Sequence, residues 1–132
     1  MSPLFGIGID ILHVPRLRAL ASRRGPARLA ARILSPPEHG LFAKLPESDA
    51  QTRFLAVRWA IKEAAYKAVY PAKRLTWKEL VYQPLDALEG KPVLDILPMS
   101  DSRTPRLHAS VSHDGDYVCA VVVAESLNQN TT

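Results

Sequence analysis

A single cysteine, Cys119, stands among the 132 residues of this sequence. It can form no internal disulfide and no zinc site built on paired cysteines, so a reducing compartment is the default expectation. No apolar run approaches the roughly 20 residues that a membrane helix needs, and no membrane partner is expected. Met1-Ser2-Pro3 places no basic region before the first apolar stretch, so no secretory signal is expected either. No Gly-rich loop ends in Lys-Ser/Thr, and Gly6-Ile7-Gly8 lacks the third glycine and the helix of a dinucleotide fingerprint. No two histidines sit at the helical spacing of a zinc protease. Ser112-His113-Asp114 has the residue types of a hydrolytic triad, but neighbours on a strand point to opposite faces, which argues against one. Acid is missing too over one long stretch: residues 11–37 hold Arg16, Arg18, Arg23, Arg24, Arg28 and Arg32 and no Asp or Glu.

What remains is a small basic globular chain. Lys and Arg number 17 against 13 Asp and Glu, a net charge of +4, with 47% hydrophobic and 23% charged residues. That excludes a disordered chain and suits one core. A single domain over residues 1–125 is expected, followed by a polar, disordered tail over 126–132. The charge is uneven: residues 1–66 hold ten basic and five acidic side chains, residues 67–132 seven and eight. A stretch of one sign, where a solvated helix normally mixes both, reads as a landing surface for an anionic partner.

The element order predicts an α+β fold, an antiparallel sheet packed against a long helix. Leu4 to Leu12 opens as a strand, with Ile7, Ile9 and Ile11 on one face and Gly6, Gly8 and Asp10 on the other. Glycines inside a strand mark a close approach by another backbone or a ligand. The arginine segment forms short helices broken at Gly25-Pro26, and Ser35-Pro36-Pro37-Glu38 reads as a capped helix start. The longest helix spans about Asp49 to Tyr70, burying Phe54, Val57, Ile61, Ala64, Ala65 and Ala68. Two strands follow, around Leu80-Tyr82 and Val93-Leu97, joined by a loop ending Gly90-Lys91-Pro92. Met99 to Pro105 reads as a polar connector. A last hairpin turns at Asp114-Gly115 into a long apolar strand, Tyr117 to Glu125.

Five charged or polar residues carry the chemistry that these elements offer. Arg58 and Lys62 put two cations on one stripe of the long helix, and His113 offers a third donor from the hairpin. Asp10 and Glu63 are acids beside small residues that permit close approach. Cations for phosphate oxygens, with two carboxylates for a hard cation, are the parts of a magnesium-assisted phosphate site. The alternative is that Lys62 and Glu63 are ordinary surface charges.

Gly6-Ile7-Gly8-Ile9-Asp10-Ile11, then Phe54-Leu55-Ala56-Val57-Arg58-Trp59-Ala60-Ile61-Lys62-Glu63-Ala64, then Val111-Ser112-His113 resemble the holo-acyl-carrier-protein synthases. These are the short, single-domain branch of the 4′-phosphopantetheinyl transferases, and the resemblance runs from Leu4 to Glu125. It implies that fold, and transfer of 4′-phosphopantetheine from coenzyme A to a serine of an acidic acyl carrier protein in fatty acid biosynthesis, releasing 3′,5′-ADP. It implies Asp10 and Glu63 as magnesium ligands and Lys62 as the group that neutralises or protonates the departing 3′,5′-ADP. Arg58, Ser112 and His113 match coenzyme A contacts, and Gly90, Lys91 and Pro92 the loop near the adenine. The carrier serine is the nucleophile, and either Glu63 or a water at the ion takes its proton. Arg16, Arg28 and Arg32 fall where the family presents cations to the carrier. A homotrimer with active sites between subunits is implied as well.

The chain departs from the family at His13, three residues after Asp10, where an acid is common, and at Tyr70-Pro71-Ala72-Lys73, where Gly-Thr-Gly is usual. Tyr70-Pro71 and Leu75-Thr76-Trp77-Lys78 resemble fungal mitochondrial members, which implies a mitochondrial location; a cytoplasmic one is the alternative. Two other functions compete. A basic nucleic-acid-binding domain would use the arginines on phosphates, but no aromatic interleaves residues 11–37 for base stacking, and Asp10 and Glu63 go unexplained. A catalytically silent relative would only bind coenzyme A. Phe54, Trp59 and Ile61 are expected in the core, Cys119 as an inert buried thiol, and His39 and His108 as structural or solvent-facing residues with no partner evident from the sequence.

Overall fold

Alternating apolar residues build a three-stranded sheet, and a 22-residue helix lies across one of its faces. The computed structural model describes residues 3–46, 48–84, 92–97 and 104–126. In chain order these form β1 (Leu4–His13), α1 (Val14–Arg24), α2 (Pro26–Ile33), α3 (Pro36–Ala43) and α4 (Ser48–Val69). A 3-10 turn (Trp77–Glu79) and the strands β2 (Leu80–Pro84), β3 (Pro92–Ile96), β4 (Arg106–Asp114) and β5 (Tyr117–Glu125) follow. The main sheet has the order β1-β5-β4, antiparallel throughout, while β2 and β3 pair as a separate ribbon. The one expected sheet is therefore two. The tail after Ser126 and most of the 99–105 connector lie outside the described residues.

Local chemistry explains the breaks. Gly25 separates α1 from α2 at φ +88, a backbone conformation that glycine adopts without steric cost, and Pro26 then starts α2. Ser35 stands at the N-cap of α3 with its hydroxyl unpaired, and Glu38 reaches back to accept the Ser35 N–H at 2.9 Å, half of a capping box. The hairpin between β4 and β5 turns at Gly115, which also has positive φ.

The two faces of β1 meet different surroundings. Gly6 and Gly8 lie against α4, where a Cβ on Gly8 would overlap the Ala64 carbonyl oxygen and one on Gly6 that of Ala68. The close approach expected of these glycines is thus made by a helix backbone. Ala64, Ala65 and Ala68 complete the seam, and Val118, Ala120, Val122 and Ala124 of β5 continue the core beneath α4. The other face of β1 is open: Ile7, Ile9 and Ile11 are 68%, 61% and 66% exposed. Their partners across the register are Val123, Val121 and Cys119, all half-buried, so Cys119 sits on this outer face rather than in the core. No helix among the described residues is long and apolar enough to cross a membrane.

Candidate active site

The seam that the small residues allow also brings three charged groups together. Asp10 follows Gly8 on the inner face of β1, and Glu63 and Lys67 lie one turn apart on the side of α4 that faces it. Lys67 Nζ donates to the Ile9 carbonyl at 3.0 Å and stands 3.5 Å from Asp10 Oδ1. Partial burial pushes the Asp10 carboxyl above its ordinary value, with Lys67 opposing. Burial pushes Glu63 up as well, the Asp10 charge adds to the shift, and Lys67 again opposes it. Two carboxylates that repel each other beside one lysine form a site short of positive charge. Lys67 escapes the sequence reading, although its spacing of four residues from Glu63 is the signal that could have found it.

Arg58 and Lys62 are elsewhere. Their stripe, expected to present cations to phosphate, turns into the protein. Lys62 is fully buried, and its ammonium lies 2.5 Å from Glu38 Oε1, 2.9 Å from the Ile33 carbonyl and 3.0 Å from the Trp77 carbonyl. All three of its donors are used, which leaves none for a departing phosphate. Glu38 is also fully buried; its Oε1 accepts from Ser35 N and its Oε2 from Tyr82 N at 2.8 Å. Arg58 donates to the Tyr82 carbonyl at 3.0 Å, and its guanidinium lies 3.6 Å from the centre of the Phe54 ring. Burial lowers its pKa to about 10, with Glu38 and Tyr82 opposing. Burial lowers Lys62 too, with Glu38 opposing. The reason is Glu38: a carboxylate carried inside by a helix cap needs cations, and Arg58 and Lys62 supply them. Sequence reasoning sees Glu38 as a cap and misses this second use.

The remaining expected residues are spread over the surface. His113 is exposed near the hairpin end of β4, two strands across from Asp10, while Ser112 faces the outer side with Cys119. Pro92 begins β3 and is exposed; Gly90 and Lys91 lie outside the described residues. Arg16, Arg28 and Arg32 are exposed on α1 and α2. Of the six arginines of this stretch, only Arg18 pairs with a carboxylate among the described residues, Asp49 at 3.1 Å. His108, for which the sequence names no partner, is solvent-facing and meets Glu125 at 2.9 Å.

Beside Glu63 opens a cleft of about 610 Å³, lined also by Arg32, Trp59, Thr76, Trp77 and Lys78. Trp59 is half-buried, packed against the core on one side and forming a wall of the cleft on the other, with its ring 5.0 Å from that of Trp77. No third His, Cys, Asp or Glu joins Asp10 and Glu63 among the described residues. Two carboxylates of this kind fit magnesium, which typically takes one or two and completes its shell with phosphate oxygens and water.

The sequence profile of the 4′-phosphopantetheinyl transferase superfamily matches residues 6–122. A holo-[acyl-carrier-protein] synthase of Geobacillus kaustophilus is 37% identical over 131 residues, covering 97% of this chain and 94% of that one. The crystal structure of the Neisseria meningitidis holo-[acyl-carrier-protein] synthase superposes with a TM-score of 0.79 at 34% identity, over 94% of this chain and 100% of that one. That of a Bacillus anthracis holo-(acyl-carrier-protein) synthase in complex with CoA (3′,5′-ADP) gives 0.75 at 31% identity, over 93% and 97%.

Proposed function

The chain belongs to the 4′-phosphopantetheinyl transferase superfamily, and from that premise we propose that it works as a holo-[acyl-carrier-protein] synthase. It moves 4′-phosphopantetheine from coenzyme A to a serine of an apo acyl carrier protein. The carrier hydroxyl forms a new ester bond to the pantetheine-side phosphorus, the bond from that phosphorus to the bridging oxygen breaks, and 3′,5′-ADP leaves. The observation that carries the reading is the Asp10–Glu63–Lys67 cluster on the β1–α4 seam.

Asp10 and Glu63 are the residues that would hold magnesium, which supplies charge neutralisation at the pyrophosphate when bound. Lys67, half-exposed beside both carboxylates, takes the part that the resemblance gave to Lys62 and offsets charge on the departing phosphate. Glu63 is the acceptor that this chain offers for the proton of the attacking hydroxyl, and a water at the ion is the other. Arg16, Arg28 and Arg32 form an exposed cationic face suited to an acidic carrier. A single domain over residues 1–125 carries all of these parts, and a mitochondrial location belongs to the same proposal.

A homotrimer completes it. Ile7, Ile9 and Ile11, with Val121 and Val123 beside them, form an apolar sheet face that a lone chain leaves in water. Each isoleucine fully covered contributes about 1.5–3 kcal/mol. Assembly would also let His113 and Ser112 of one subunit approach the seam of another. Light scattering should give three times the chain mass, and Ile9→Lys should give the mass of one.

Mass spectrometry tests the reaction: the purified protein is mixed with coenzyme A, magnesium and an acidic apo-carrier, with and without chelator. The carrier should gain one phosphopantetheine only without chelator. No gain on several carriers would return the silent coenzyme A binder, or the nucleic-acid reading, to first place.

A further inference from the structure

Lys62 and Glu63 are neighbours on α4, yet one side chain enters the interior and the other lines the cleft. The Lys62–Glu38 pair joins five segments. From α4, Lys62 holds the last residue of α2 through the Ile33 carbonyl and the 3-10 turn through the Trp77 carbonyl. Glu38 of α3 holds its own helix start through Ser35 N and β2 through Tyr82 N. A buried ion pair is a poor source of stability, because desolvation offsets most of the attraction, but it is strict about geometry. One of its contacts reaches Trp77. Lys62 holds the Trp77 backbone, and the Trp77 indole meets Trp59 to form a wall of the cleft beside Glu63.

We propose that the buried Lys62–Glu38 pair is a positioning device that sets the Trp59–Trp77 wall against Glu63 and so governs turnover without touching a reacting atom. Lys62 is then a positioning residue. The kinetic part of this inference rests on the transferase reading; the spectroscopic part does not.

The chain has only two tryptophans, and both stand in this wall, so near-ultraviolet circular dichroism and tryptophan fluorescence report on it directly. The test replaces the pair together, Lys62→Met with Glu38→Gln, which removes both charges at similar volume. The folded double variant should keep its far-ultraviolet spectrum and lose the tryptophan couplet. Its kcat should fall by about ten- to a hundredfold, the scale of losing an orienting partner, with KM for coenzyme A within about twofold. Unchanged tryptophan signals, or an unchanged kcat, in the folded double variant would overturn the proposal.

Trp77→Ala keeps the ion pair and judges the wall alone, which covers the case of a double variant that does not fold. Lower kcat supports the proposal, and wild-type kcat overturns it. A wild-type protein inactive on every carrier would defeat the transferase reading instead, leaving the spectroscopic comparison to decide this one.

Discussion

Helix α4 carries two charged stripes with the same pattern and opposite fates. Arg58 and Lys62, four residues apart, point inward and saturate Glu38 and three backbone carbonyls. Glu63 and Lys67, also four apart and turned by about 100°, point to Asp10 and remain partly open to solvent. On the first stripe all three Lys62 ammonium protons are used and Arg58 Nε is buried 3.9 Å from Glu38 without a hydrogen bond, so the stripe is enclosed and holds things in place. On the second, two carboxylates are pushed toward protonation and share one lysine, so it can still bind a cation and move a proton. Satisfied charge makes architecture; unsatisfied charge makes a site.

Substitutions should separate the stripes, the largest effect first. Asp10→Asn should lower transfer by about 10³-fold, the scale of removing a preorganised electrostatic group, in a protein that still folds. The same variant without magnesium should melt above wild type. The sign follows from the raised carboxyl: its charged form is less stable folded than unfolded, a cost present above the folded pKa and relieved as pH falls toward the unfolded value. The melting gap should therefore narrow as pH drops into the carboxylate range, and a gap that widens there would reverse the assignment.

Lys62→Met alone leaves Glu38 buried with Arg58 Nε at 3.9 Å as its nearest cation. Unfolding stability should fall by about 3–5 kcal/mol, as when one partner of a buried pair is removed. A denaturant midpoint equal to wild type would mean that the inner stripe is not structural. Lys67→Met, which removes a half-exposed pair, should cost no more than about 1 kcal/mol while reducing kcat by about 10²-fold; a large loss of stability without a change in rate would merge the two stripes.

Gly8→Ala attacks the seam on which the outer stripe depends. Its Cβ would meet the Ala64 carbonyl, and separating β1 from α4 should cost about 1–3 kcal/mol. Transfer should fall as Asp10 moves from Glu63, which a rate assay on the folded variant checks. Smallest is Arg28→Glu on the exposed face of α2. The carrier KM should rise about fivefold, the size of one surface charge worth ~1 kcal/mol, with coenzyme A KM unchanged and less salt sensitivity. An unchanged carrier KM would remove α2 from the docking surface.

Much of this was legible in the residues. The small face of β1, the span of α4, the Ser35 cap and the Asp114-Gly115 turn follow from periodicity and turn chemistry, and Asp10 with Glu63 from type and neighbours. The resemblance supplied the reaction. Lys62 went astray because a helix pattern shows that residues four apart share a side, not which side the protein covers. Trp59 packs against the core as expected, but helical spacing does not show that its other side lines a cleft. Glu38 was seen only as a cap, since its cations lie 20 and 24 residues further on.

By itself the sequence determined a long helix with two charged stripes, a strand with one face of glycine, and a basic surface without acid. These depend on spacings of two to four residues, which local backbone geometry sets. The tertiary structure decided which stripe would be enclosed. A buried carboxylate must find its cations wherever packing brings them, and Glu38, fixed by the start of α3, draws Lys62 inward and leaves Glu63 and Lys67 at the seam with Asp10.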